Sequence, residues 1–136
     1  FATEADLPRL AQMAGKTNQF NATTIRRTEE EFRGLLSDGS KCVCVFRLSD
    51  RFGPMGIVCY VIADVASRRI TDFVMSCRAM GRTLEFFASR HVCEALGDGP
   101  APQIDFVPTA KNAPFAAFLR KIAAGDDITC CAAGTC

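Results

Sequence analysis

Apolar residues first recur at helical spacing, with Leu7, Leu10, Ala11 and Ala14 sharing one face of the segment Thr3 to Ala14. Thr3 or Asp6 can cap this helix, Pro8 suits its first turn, and Gly15 can end it. Lys16 to Arg27 (KTNQFNATTIRR) is polar and amide-rich without periodicity, which predicts a loop. Thr28 and Glu31 form a capping box ahead of Phe32, Leu35 and Leu36, so a short second helix begins at Glu29. The pattern then changes to that of strands. Lys41 to Leu48 (KCVCVFRL) and Gly56 to Val65 (GIVCYVIADV) are β-branched and aromatic, and the Gly53-Pro54 turn between them predicts a hairpin. Arg69 to Ser76 reads as a third strand. Gly81 to Leu96 returns to helical spacing, with Leu84, Phe87, Ala88, His91, Val92 and Ala95 on one side and Arg82, Phe86 and Cys93 on the other. The second set predicts an apolar patch on the outer side, fit for cover by a further domain or partner. Gly97, Gly99 and Pro100 stop that helix. Gln103 to Val107 forms a short strand, and Asn112 to Ile122 a last helix with Phe115, Phe118, Leu119 and Ile122 as its apolar face.

Hairpin strands followed by strand-helix-strand predict a mixed α/β (α+β) fold, a central mixed sheet flanked by helices. The 136 residues suit one domain spanning 1–136. Phe1 stands directly before a helix-start pattern without a methionine, so the natural N-terminus is expected upstream. Sixteen basic against fifteen acidic residues give a net charge of +1, which argues against a nucleic-acid partner. The apolar runs are too short to span a bilayer and no leader pattern opens the chain, so a soluble, cytoplasmic protein is expected, with no membrane partner.

The eight cysteines do not follow a disulfide framework. Cys42, Cys44 and Cys59 lie in apolar strand runs, where a reduced thiol acts as a small hydrophobe. Cys130, Cys131 and Cys136 with His91 match no common zinc spacing, so no metal is expected.

Ser76 to Glu85 (SCRAMGRTLE) follows a strand and opens a helix, a place where backbone N–H groups can hold a pyrophosphate. Together with the element order, this segment resembles the GNAT (acyl-CoA N-acyltransferase) fold, here lacking its first strand. GNAT enzymes carry a loop [RQ]-x-x-G-x-[GA] there; this chain has Arg78 and Gly81, then Thr83 in place of Gly or Ala. They also carry an Asn followed six residues later by a proton-donating Tyr; Asn112 and Phe118 hold that spacing here. A phenyl ring donates no proton.

A narrower resemblance comes from KTNQFNATT, FRLSDRFGPMG, SCRAMGR and PTAKNAP, blocks that run from Lys16 to Pro114 and look like the C-terminal half of FkbH-like proteins. In that family the residue after DRFG is more often acidic than the Pro54 found here. The resemblance implies an upstream HAD-like domain in the same polypeptide and transfer of a glyceryl or similar acyl group to the phosphopantetheine thiol of an acyl carrier protein. The broader GNAT likeness implies coenzyme A or acetyl-CoA and N-acetylation instead. A non-catalytic module that docks carrier protein is a third reading.

Under these resemblances Cys77 is the candidate nucleophile, since helix N-termini and cationic neighbours favour the thiolate form of a cysteine. Packing at a strand end is its structural alternative. Arg78, Gly81, Arg82 and Thr83 are expected to hold phosphate at the start of the helix, with the pantetheine along Val74 and Met75 and with Asn112 beside it. Asn18, Gln19 and Asn21 are candidates for the acyl-binding side, or else turn-forming amides. Lys111 meets phosphate or is a surface lysine. His91 is expected as a core or rim imidazole.

Overall fold

The computed structural model describes residues 1–124. Cys130, Cys131 and Cys136, weighed above as zinc ligands, lie outside them. A single 3₁₀ turn at Glu4–Asp6 leads into α1 (Leu7–Lys16), which runs two residues past Ala14 because Gly15 is tolerated in the last turn. Helix α2 (Glu29–Ser37) starts at the expected capping box: Thr28 Oγ1 accepts from Glu31 N, and Thr28 N donates to Glu31 Oε2 at 2.7 Å.

Strands β1 (Lys41–Asp50), β2 (Gly53–Asp64) and β3 (Arg69–Met75) form an antiparallel meander, and β4 (Gln103–Ile104) pairs parallel to β3. Helix α3 (Leu84–Ala95) makes the crossover that a parallel pair requires, and α4 (Ala113–Ala124) follows β4. The sheet is thus mixed and flanked by helices, a mixed α+β architecture. Both its faces are covered, which explains why β2 is buried continuously from Ile57 to Ala63. On one face Leu7, Leu10 and Met13 of α1 and Phe32 of α2 pack on Val43, Tyr60, Ile62 and Val74. On the other, α3 and α4 meet Cys44, Phe46, Cys59, Val61, Ile70 and Phe73. A register shift after Phe46 lets Val58 and Cys59 join the same core.

Two expectations for α3 are corrected. It begins at Leu84, not Gly81, because Gly81 and Thr83 both take left-handed conformations (φ 80° and 61°) that a right-handed helix cannot contain. Its buried face is Leu84, Ala88, Ser89, Val92 and Cys93, with Phe86 packed 5.5 Å from the Phe118 ring. Phe86 and Cys93 therefore form no outer patch. Phe87 is the outward residue at 61% exposure, and His91 is exposed beside it, edge-on to Phe46. Among the described residues no helix is long and apolar enough to cross a membrane.

Candidate functional site

The polar loop after α1 enters the sheet. Met75 N donates to Phe20 O at 2.9 Å, Ala22 N to Phe73 O at 3.1 Å, and Val107 N to Ala22 O at 2.9 Å. Residues 20–22 thus act as a short strand wedged between β3 and the chain beyond β4. The wedge is held by Asn21, whose Nδ2 donates to Thr17 O and whose Oδ1 accepts from Thr24 N. It is also held by Asn112, whose Nδ2 donates to Asn21 O and Val107 O while its Oδ1 accepts from Thr109 N. Both amides are 1% exposed and fully engaged with backbone. This corrects the expected cofactor edge: the outer backbone of Phe73 and Met75 is already bonded, and the side chains of Val74 and Met75 are core. Asn21 and Asn112 are building amides for the same reason. Asn18 accepts from Arg26, whose guanidinium also binds Ala14 O and Thr17 O at the end of α1. Lys111 is exposed.

Cys77–Ala79 is one 3₁₀ turn, and α3 starts five residues after it. Cys77 and Arg78 consequently do not sit on the α3 N-terminus, which Gly81, Arg82 and Thr83 adjoin, so the expected phosphate cradle is divided between two turns. Arg78 and Arg82 also diverge. Arg82 pairs with Asp50 at 3.4 Å, while Arg78 reaches Met55 O on the same hairpin. Thr83 spends its hydroxyl on Arg82 O.

What does gather is Cys77 with α1. Arg9, Gln12, Met13 and Lys16 recur at helical spacing and face Thr17, Ser76, Cys77 and Arg78 across a groove of about 300 Å³. Met13 is the buried floor. Cys77 is exposed, and its sulfur lies 3.8 Å from Gln19 Oε1, so of the three loop amides Gln19 is the one beside the thiol. Arg9 donates through Nε to Ile57 O (3.1 Å) and through Nη1 to Gln12 Oε1 (2.7 Å). Burial, and then the charge of Arg78, push the Arg9 guanidinium down from its ordinary value. Arg9 and Lys16 escaped the sequence reading. They lie off the apolar face of α1, and the 76–78 turn they meet is about sixty residues or more away in sequence, where local pattern records no contact.

The position at which the GNAT resemblance would lead one to expect a proton donor is apolar. Phe118 is 3% exposed and packs on the rings of Phe20, Phe73, Phe86 and Phe115. The single tyrosine, Tyr60, is buried against Phe32 in the opposite layer, and desolvation, then Asp72, raise its phenol well above the ordinary range. A wider hollow of about 660 Å³ lies at the end of α3, far along the fold from β3's exit, between Arg68, Arg90, Glu94 and Asp98. Arg68 is consumed there by the carbonyls of Leu96, Gly97 and Pro100, which makes that site a helix cap. Among the described residues no cluster of His, Cys, Asp or Glu could hold a metal ion.

No family model matches the chain. No curated protein matches it either. Among solved structures it is similar to a mutant spermidine N-acetyltransferase, SpeG, from Vibrio cholerae, with a TM-score of 0.40 and 13% identity over 70% of this chain. The match spans 58% of that protein's own chain.

Proposed function

We propose that the domain transfers acyl groups, with Cys77 as the atom that receives the acyl group in the groove between α1 and the 76–78 turn. The observation that carries this reading is an exposed thiol set among three cations, with an amide 3.8 Å from its sulfur. Its thiolate attacks the carbonyl of an acyl phosphate; the C–S bond forms, the C–O bond breaks, and phosphate leaves. A second thiolate, the phosphopantetheine sulfur of a carrier protein, then takes the acyl group and returns the Cys77 thiolate. The likeness of SCRAMGR and KTNQFNATT to FkbH-like proteins supports a glyceryl or similar group, an acyl carrier protein as partner, and an upstream HAD-like domain as source.

CoA-dependent N-acetylation is the second reading. It is favoured by the meander with a parallel β3–β4 pair joined through α3, the arrangement the GNAT resemblance implies. Iodoacetamide labelling of the folded protein, paired with acetyl-CoA titration, separates the two. Fast alkylation mapped to Cys77 with weak CoA binding supports thioester transfer. Tight acetyl-CoA binding that alkylation of Cys77 leaves untouched supports N-acetylation. If neither occurs while carrier protein still binds, the domain is a docking module.

A further inference from the structure

We infer that the groove formed by Arg9, Lys16 and Arg78 is a binding site for a compact oxyanion, so that the acyl donor handled at Cys77 bears a phosphate or carboxylate substituent on its carbonyl or within a few bonds of it. The substrate class rests on the Cys77 reading, whereas the anion site rests on the groove itself.

Elsewhere among the described residues, Arg27 pairs with Asp72, Arg33 with Glu4 and Glu30, Lys41 with Asp64, Arg47 with Asp6, Arg69 with Asp105 and Arg82 with Asp50, while Arg26 and Arg68 are each held by backbone carbonyls. The groove is different. It brings three cations from two elements to one hollow, and no carboxylate lines it. Its other polar walls are Gln12, Thr17 and Ser76, which can donate to an oxyanion without adding negative charge. Lys16 has an ordinary reason to stand in the last turn of α1, where it complements the helix dipole. Arg9 lies in the first turn of α1, where the helix dipole disfavours a cation, and it faces the like charge of Arg78. An anion between the two guanidiniums removes that repulsion and adds charge-assisted hydrogen bonds.

Length decides whose anion it is. The phosphate of a phosphopantetheine arm lies a whole pantetheine away from the reacting sulfur, so both cannot occupy a 300 Å³ groove that Cys77 itself lines. The anion therefore belongs to the acyl donor, either as the phosphate that leaves its carbonyl or as a group a few bonds from it.

The test uses Cys77→Ser protein, in which no thioester can form, titrated by calorimetry or NMR with inorganic phosphate and, separately, malonate. Sodium chloride at matched ionic strength is the reference. Saturable binding of either probe is expected, the tighter one naming the substituent. Lys16→Gln with Arg78→Gln should weaken it about tenfold or more, as expected for lost hydrogen bonds between charged groups. Arg82→Gln, whose guanidinium is turned to Asp50, should leave it within about twofold. Absence of saturable binding by both probes, an unchanged affinity in the double variant, or an equal loss in Arg82→Gln overturns the proposal. Anion binding with a Cys77 that never accepts acyl groups would remove the transfer reading and leave this site standing; an acylated Cys77 without anion binding does the reverse.

Discussion

Phe118 and Asn112 show how single residues divide between chemistry and construction. The GNAT resemblance marks Phe118 as the place of a general acid, and on that ground placing a tyrosine there looks like a gain of function. The aromatic cluster around it gives the opposite expectation. A hydroxyl placed among Phe20, Phe73 and Phe86 leaves water without a partner in view, at a cost of about 1–3 kcal/mol. Phe118→Tyr should therefore lower the urea midpoint and add no acetyltransferase activity; an unchanged midpoint would show an unseen polar partner. Asn112→Ala should cost about 2–3 kcal/mol, because two backbone carbonyls and one N–H lose a buried partner together, whereas Lys111→Ala should be neutral. An asparagine at a helix start is legible in sequence. That its amide reaches back ninety-one residues to Asn21 is not, since local pattern carries no record of such contacts.

At the scale of elements, the loop of residues 20–27 is fastened to β3 at both ends of its course. Phe20 and Ala22 bond the strand edge, and Arg27 grips Asp72 through two contacts of 2.7 and 2.8 Å. Asp72 is 1% exposed and keeps only the Thr71 hydroxyl bond when its cation is removed, so Arg27→Met should cost about 3 kcal/mol in denaturant melts. A loss below 1 kcal/mol would mean that Asp72 finds another partner or is reached by water. The β1–β2 ladder carries an acid-sensitive clasp at its open end, where Lys41 faces Asp64. The Lys41 hydrogen bond, and then those of Ser67, hold the Asp64 carboxyl below its ordinary value. A depressed carboxyl contributes stability that is full above its unfolded value, about pH 4, and is lost as pH falls beneath it. Asp64→Asn should flatten that acid limb and leave the pH 6–8 plateau nearly level. Strands, hairpin and the Thr28 capping box were readable because period and caps are local signals. The start of α3 was not, because a threonine in the left-handed region at Thr83 has no signature in residue type. The shift removed the helix terminus from beneath Cys77, while Phe86, Phe87 and Cys93 were misassigned because apolar residues fall on both sides of α3 and its spacing does not single out one face.

Across the whole molecule, two helical layers enclose the sheet, and Cys77 emerges where β3 leaves it, against the polar stripe of α1. The thiol's prominence as a candidate survives the loss of its helix N-terminus because a different set of cations takes that place, two of them from α1. Burial sorts the other thiols. Cys59 is fully enclosed and its thiol is pushed up by desolvation; Cys44 is buried; Cys42 is half-buried, with a hydrogen bond from Cys44 that draws its thiol down. Among the described residues Cys42 is therefore the competitor that must be mapped by peptide, together with Cys130, Cys131 and Cys136, which lie outside them. Intact mass spectrometry after incubation with acetyl phosphate as a model acyl phosphate tests the central claim most directly. The account predicts a single hydroxylamine-labile acetyl adduct on Cys77 that is absent in Cys77→Ser. Acyl transfer through Cys77 would be contradicted by a wild-type protein that gains no adduct, or by one whose adduct persists unchanged in the serine variant.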